Sequence, residues 1–488
     1  MRVAVIGAGP AGMTAALQLA RGGAEVVVYE ASAGVGGLAR SIELWGQRVD
    51  LGPHRFFSTD ARVNRLWLDV VGDNYAMVER RTRIYYDDRF FDYPLRPLSA
   101  ARTMRPLNAL RCIASYARQR LRNNASGDDD SFESWVVRRF GRRLYEMFFK
   151  SYSEKLWGLP CDELSADFAA QRIKKFSLGM ALAGALSKRH ANTHRTLVDR
   201  FAYPLRGTGA VYEAMAERVC GAGGEIRLST PVQRVVVRDG LARGVELRDG
   251  RVEEVDQVIS TMPLTLLVRG LSSVPAEVRS AADALQFRNT VLVYLHVGSD
   301  RLFDDQWIYV HAPELSMGRV TNFRNWVPGL HGGQPTTVLA AEFWCNDGDA
   351  TWVESDERLI ERATRELRST GLLGQAMILA GHVERIARCY PVYRRGYRQH
   401  VDRLAAYLRT ISNLTVIGRY GAFKYNNQDH SILMGILAAE NLLEQRGHDL
   451  WSVNTDYEAY QERAIITEAG LQSDGARKVE PVGALASG

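Results

Sequence analysis

The chain opens RVAVIGAGPAGMTAALQLARGGAEVVVYEASAGVGGLARS, and no other stretch limits its fold as tightly. Residues 3–6 read as a short buried strand, Gly7-Ala-Gly9-Pro10-Ala11-Gly12 as a turn, and residues 13–20 as a helix. A second strand at 25–29 ends in Glu30. Strand, glycine turn and helix in that order predict a βαβ unit in a parallel sheet. Gly7 makes the tight turn, Gly9 lets the backbone approach a pyrophosphate, and Gly12 lets helix and strand touch. The turn through Pro10 and Ala11 leads into a helix N-terminus that offers N–H groups and the positive end of a dipole to phosphates. Glu30 is placed to accept hydrogen bonds from an adenosine ribose. A lone GxGxxG says little, but this context points to a dinucleotide site.

At 488 residues the chain exceeds one ordinary core, so two or three lobes are expected. It is 46% apolar and 24% charged, as globular chains are. The net charge of +6 comes almost wholly from arginine, with 7 lysines among 62 basic residues. These charges are scattered, which argues against a nucleic-acid partner and leaves anionic small molecules open. Cys112, Cys161, Cys220, Cys345 and Cys389 are far apart and form no CxxC, so neither a disulfide framework nor a metal site is expected, and a cytoplasmic setting fits. The longest apolar run is broken by glycine and proline and lacks a basic leader, so no signal peptide or membrane partner is expected.

The expected fold is α/β, with a discontinuous Rossmann-like domain formed by 1–60, 207–263 and 415–468. Periodic apolar positions in SFESWVVRRFGRRLYEMFFKSY predict an inserted helical lobe at 97–197. Alternating or β-branched runs such as NTVLVYLHV and TTVLAAEFW predict an antiparallel β-sheet substrate domain from 61–96 and 264–414. The small, polar stretch 469–488 is expected to be a flexible tail.

After Glu30, the run Gly34-x-Gly36-Gly37-Leu38-Ala39-Arg40 resembles the extended fingerprint of FAD proteins related to amine oxidases. Val232 in STPVQRV and the strand end Ser260-Thr-Met-Pro263 resemble further parts of that cofactor domain. The resemblance implies FAD. No second strand–GxGxxG–helix unit follows, so a reductant such as NAD(P)H or a reductase would act from outside.

Several segments resemble the UDP-galactopyranose mutase family, in its longer eukaryotic form. Gly52-Pro53-His54-Arg-Phe-Phe matches the histidine loop beside the flavin, and Tyr93-Pro94 the nucleotide pocket. SYSEKLWGLPCDELSADFAAQRI matches a helical signature ending in a catalytic arginine, here Arg172. QWIYVHAPELSMGRV matches a segment with Trp307, Tyr309 and Arg319 toward a sugar diphosphate, and Cys389-Tyr390-Pro391 supplies a further tyrosine. GRYGAFKYNNQDHS matches the last segment. There, Gly418, Arg419 and the backbone of Asn427, Gln428 and Ser431 would hold FAD, while Tyr425 and Asn427 would face the diphosphate. Read without the resemblance, that stretch is a polar loop capping a helix, Arg172 a solvated basic face, and the aromatics core residues.

The resemblance implies an isomerase that interconverts the pyranose and furanose forms of a nucleotide-diphosphate hexose, with reduced flavin N5 as nucleophile at the anomeric carbon. Arg172 and Arg319 would bind the departing diphosphate as guanidinium forks, and His54 would hold the flavin face. One departure bears on the base. The family's uracil-reading glutamine is replaced here by Arg96, beside Leu95. Arginine only donates, whereas guanine offers adjacent O6 and N7 acceptors. A GDP-hexose is therefore expected alongside UDP-galactose as a substrate candidate. The competing expectation is an FAD-dependent oxidoreductase of the amine oxidase or protoporphyrinogen oxidase type.

Overall fold

The computed structural model describes residues 1–95, 97–122, 130–167, 200–454, 464–467 and 470–473. Five parallel strands form one sheet in the order Leu414–Val416, Gln257–Ser260, Arg2–Ile6, Glu25–Tyr29, Glu225–Arg227. Arg2–Ile6 is buried at four of five positions, as a strand covered on both faces must be. The helix Pro10–Arg21 has proline in its first turn and buries Ala11, Ala15, Ala16 and Leu19. Those small side chains let the long helix Gln428–Glu444 lie against it. That helix buries Ile432, Leu433, Met434, Ile436, Leu437, Ala438 and Ala439, and is apolar on nearly every side, as an internal helix is.

A second sheet has seven strands, in the order Ile378–Pro391, Phe287–Val297, Thr337–Cys345, Arg319–Asn322, Trp307–Val310, Thr82–Tyr86, Arg89–Asp92. It is antiparallel, as expected, except where Trp307–Val310 runs parallel to Thr82–Tyr86. The exception arises because the hairpin 82–92 reaches this edge from the N-terminal part of the chain. The helices Pro97–Thr103, Pro106–Arg122, Phe132–Phe140 and Ser151–Trp157 form the described part of the helical lobe. A π-helical turn at Glu146–Lys150 precedes the last of them.

Packing and pairing cross the expected domain limits at three places. The helix Ala61–Val71 buries Val63, Leu66, Trp67 and Val70 in the core shared with Pro10–Arg21, so this stretch packs with the parallel-sheet domain. The helices Leu264–Gly270, Ala276–Ala284 and Tyr397–Leu408 pack in a core with Val235, Val245 and Val258. Within the expected tail at 469–488, Gly470–Ser473 pairs with Ala464–Thr467, and Tyr75 Oη donates to Thr467 O at 2.9 Å; residues 474–488 lie outside the described residues.

Candidate functional site

The glycine turn is built as its sequence requires. Gly7 adopts φ +98°, and a methyl group there would stand 2.1 Å from Thr261 Oγ1. Gly37 adopts φ +54°, and a methyl there would stand 3.1 Å from Gly9 Cα. Gly36 N–H donates to Ala8 O at 2.8 Å, so the second glycine loop, continuing through the Gly37–Ala39 turn, lies against the first. Gly418 begins the turn Gly418–Gly421, and a methyl on it would meet Ala11 Cβ at 3.2 Å. Glu30 accepts from Ala8 N at 2.7 Å and from Ser32 N and Oγ at 2.8 Å each. Two backbone N–H groups thus fix the carboxylate at the strand end. Thr230 N–H donates to Glu30 O at 2.8 Å, which brings the start of the Val232 strand beside it.

A buried network holds the His54 loop. Asp50 is fully buried; its Oδ1 accepts from Ser41 Oγ at 2.6 Å and Thr208 N at 3.1 Å, and its Oδ2 from Tyr203 Oη at 2.6 Å. Burial raises the Asp50 carboxyl above its usual range against these bonds. His54 O accepts from Thr208 Oγ1 at 2.8 Å and Gln428 Nε2 at 3.4 Å. Gln428 Oε1 in turn accepts from Tyr212 Oη at 2.7 Å. The Gln428 amide is therefore engaged in loop support, which leaves its backbone for a ligand. The imidazole is pushed down to about 3, by burial first and then by the Arg319 and Arg419 cations. It is neutral at physiological pH, and its Nδ1 is buried without a partner.

Next to this loop lies a cluster of cations and aromatic hydroxyls. A methyl on Gly52 would stand 3.6 Å from Glu342 Oε1, 3.7 Å from His54 Cε1 and 4.0 Å from Arg319 Nη2. Tyr309, Arg319 and Glu342 are lateral neighbours on three adjacent strands. Arg319 donates from Nε at 2.7 Å and Nη2 at 2.6 Å to the two Glu342 oxygens. Burial opposes the Arg319 charge, but Glu342 outweighs it and holds the guanidinium protonated. Arg419 lies over the Tyr390 and Tyr425 rings, 5.0 and 4.4 Å from their centroids. It donates to Cys389 O at 3.0 Å and Asn426 O at 2.7 Å. The two tyrosine rings stack at 5.5 Å.

Sequence reasoning missed three members of this cluster. Tyr152 stacks on His311 at 4.7 Å and meets Tyr309 and Trp344 edge-on at 5.6 and 5.5 Å. Burial, opposed by Arg319, holds its hydroxyl protonated, and burial does the same for Tyr390. Lys155 Nζ donates to Ala312 O at 2.6 Å, Val310 O at 3.2 Å and Met317 O at 3.4 Å. It pins the Tyr152 helix to the strands carrying Tyr309 and Arg319. Burial lowers this ammonium to about 8. Glu342 is the third. A lone acid in the apolar run TTVLAAEFW was its signal, since a buried charge needs a partner.

Two of the expected site residues also serve the fold. Trp307 is 4% exposed and stacks on Trp326 at 5.6 Å, so it is a core aromatic beneath Tyr309. Asn427 is the N-cap of Gln428–Glu444, and its N–H donates to His430 Nδ1 at 3.2 Å. Its residue type is explained by the helix start. Tyr93 meets Tyr309 at 5.0 Å and precedes a cis bond to Pro94. It opens on a surface pocket of about 570 Å³ that also includes Arg80, Arg83, Phe303 and Asp305. Arg96 and Arg172 lie outside the described residues.

The glycine cradle, into which side chains would intrude, and the unpartnered His54 Nδ1 fit a dinucleotide whose ring end reaches the His54 loop. Residues 10–443 match the family model of flavin-containing amine oxidoreductases. The phytoene desaturase (neurosporene-forming) of Rhodobacter capsulatus is 27% identical over 288 residues, covering 53% of this chain and 52% of that protein. A probable UDP-galactopyranose mutase of Klebsiella pneumoniae is 26% identical over 183 residues, 36% of this chain and 46% of that protein. The chain thus spans about half the length of such curated relatives. The crystal structure of a reduced UDP-galactopyranose mutase superposes with a TM-score of 0.82 at 22% identity, covering 93% of this chain and 96% of that one. A putrescine oxidase variant superposes with a TM-score of 0.63 at 17% identity, covering 91% and 100%. At these identities the structures establish the fold. The chain belongs to the flavin-containing amine oxidoreductase family, and its cofactor is FAD.

Proposed function

We propose that the protein interconverts the pyranose and furanose forms of a nucleotide-diphosphate hexose. The observation that carries this reading is the inner cluster. Arg319, Arg419 and the hydroxyls of Tyr152, Tyr309, Tyr390 and Tyr425 converge beside the His54 loop. Such an interior suits an anionic leaving group and would repel a hydrocarbon substrate. The likeness to a reduced UDP-galactopyranose mutase over most of the chain supports it.

Reduced FAD, when bound, supplies the nucleophile for the anomeric carbon, so the sugar undergoes no net redox change. Gly7, Gly9, Gly12, Gly36, Gly37 and Gly418 would line its diphosphate and ribose, with Glu30 on the ribose and the Leu38–Arg40 and Gly52–Pro53 backbones alongside. Neutral His54 would present Nδ1 to the ring. Arg319 keeps Nη1 for a phosphate oxygen while Glu342 fixes its plane, and each charge-assisted bond contributes about 1.5–3 kcal/mol. Tyr152 and Tyr390, held protonated, donate to the same charge. Tyr93 and the pocket beyond it would take the base. The preference for guanine rests on Arg96 and so on the sequence alone.

A second reading, an FAD-dependent oxidoreductase, is kept because relatives are phytoene desaturases by name. The deciding experiment incubates anaerobically reduced holoprotein with UDP-, GDP- and TDP-hexoses, and oxidised holoprotein with a polyene precursor. Ring-isomerised nucleotide sugar supports the mutase. Desaturation with no isomerisation overturns it.

A further inference from the structure

The helix Pro106–Arg122 turns an apolar face to solvent. Leu107, Leu110, Ile113 and Leu121 are 59%, 65%, 66% and 86% exposed. They are four of the thirteen large apolar side chains exposed among the described residues. At about 100° per residue they fall, with Ala114 and Ala117, within a sector of roughly 120°. Arg111 and Arg118 flank that sector on one side and Arg120 on the other. The opposite face is docked. Cys112 is buried with Met147 and Phe148, Ser115 Oγ accepts from Arg143 N at 3.1 Å, and Asn108 Oδ1 accepts from Arg143 Nη2 at 3.1 Å.

Charge identifies the occupant. Residues 97–122 hold six arginines and no acid, which equals the whole chain's net excess of +6. Arg105 is paired with Asp87 at 3.2 Å. Arg111 and Arg118 are exposed and have no ion-pair partner among the described residues. A second copy on this face would set arginine against arginine. An anionic lipid surface matches both the apolar sector and its basic flanks. No helix among the described residues is long and apolar enough to cross a membrane, so the helix would lie on the surface. We propose, against the expectation of no membrane partner, that Pro106–Arg122 is an interfacial helix that docks the folded protein onto anionic lipid bilayers, with Leu107, Leu110, Ile113 and Leu121 inserted and Arg111 and Arg118 against the headgroups.

The test is co-sedimentation of the full-length, FAD-loaded protein with phosphatidylcholine vesicles, with and without phosphatidylglycerol. Binding is expected to the anionic vesicles, to weaken with salt, and to be at least about tenfold weaker on neutral ones. Arg111→Gln with Arg118→Gln should weaken it about 25-fold, at about fivefold per arginine. Leu107→Ser with Leu110→Ser and Ile113→Ser should abolish it while FAD content is unchanged, since these side chains are exposed. Failure to bind anionic vesicles, or binding equal in all variants, overturns the proposal. So does a concentration-dependent dimer of the free protein that the Leu→Ser set abolishes, because a second copy would then cover the face.

Discussion

Removing Arg319 separates its structural role from the catalytic one proposed for it. Glu342 is 1% exposed and accepts from Arg319 at 2.7 and 2.6 Å. Arg319→Ala leaves a buried carboxylate unpaired, which costs about 3–5 kcal/mol. For a cooperative unit of about 200 residues this is roughly a 7–12 °C fall in melting temperature. Arg319→Ala with Glu342→Gln removes both charges and should recover most of that fall. Turnover should not recover, because the donor to the departing diphosphate is still missing, a loss on the order of a hundredfold. Thermal melts of the two variants, paired with initial rates of the reduced enzymes, read both effects. If the double variant regains turnover together with stability, Arg319 serves only to neutralise Glu342, and the diphosphate lies elsewhere.

Other outcomes follow from the same geometry. Gly7→Ala, whose methyl would stand 2.1 Å from Thr261 Oγ1, should purify with little flavin absorbance and not regain it on reconstitution. His54 and His311 are both held at about 3, by burial first. Between pH 6.5 and 3 the unfolded chain therefore binds two protons that the folded chain refuses. Stability present above pH 6.5 should fall with acid by up to about 2.7 kcal/mol per pH unit from this pair, and His311→Asn should remove about half of that slope in pH-dependent denaturation. In competition binding to the reduced enzyme, GDP should exceed UDP by about 1–3 kcal/mol. Equal binding that Arg96→Gln does not change would return the base to uracil.

The dinucleotide end was legible because phosphate binding is a local demand. A tight turn, a helix start and a strand-end acid all fall within residues 1–40, and their backbone conformations select glycine. The cluster around Arg319 was legible only in part. Arg319 and Glu342 are 23 residues apart, and their contact depends on strand register, which residue types alone do not fix. Tyr152 was hidden in a helix whose aim depends on Lys155 reaching three carbonyls of another domain. That lysine is one of only 7 in an arginine-rich chain, which was the available signal. Asn427 and Trp307 also have local explanations. A helix needs a cap and a sheet needs a core, and these local requirements account for both residues.

The most direct measurement counts electrons. The holoprotein, reduced once by a limiting two-electron equivalent under anaerobic conditions, is given excess UDP- and GDP-hexose, and ring isomers are quantified against reductant consumed. Many turnovers per equivalent are expected, with the flavin still reduced at the end. A yield held to one product per equivalent, or flavin reduced by the substrate itself, would contradict it.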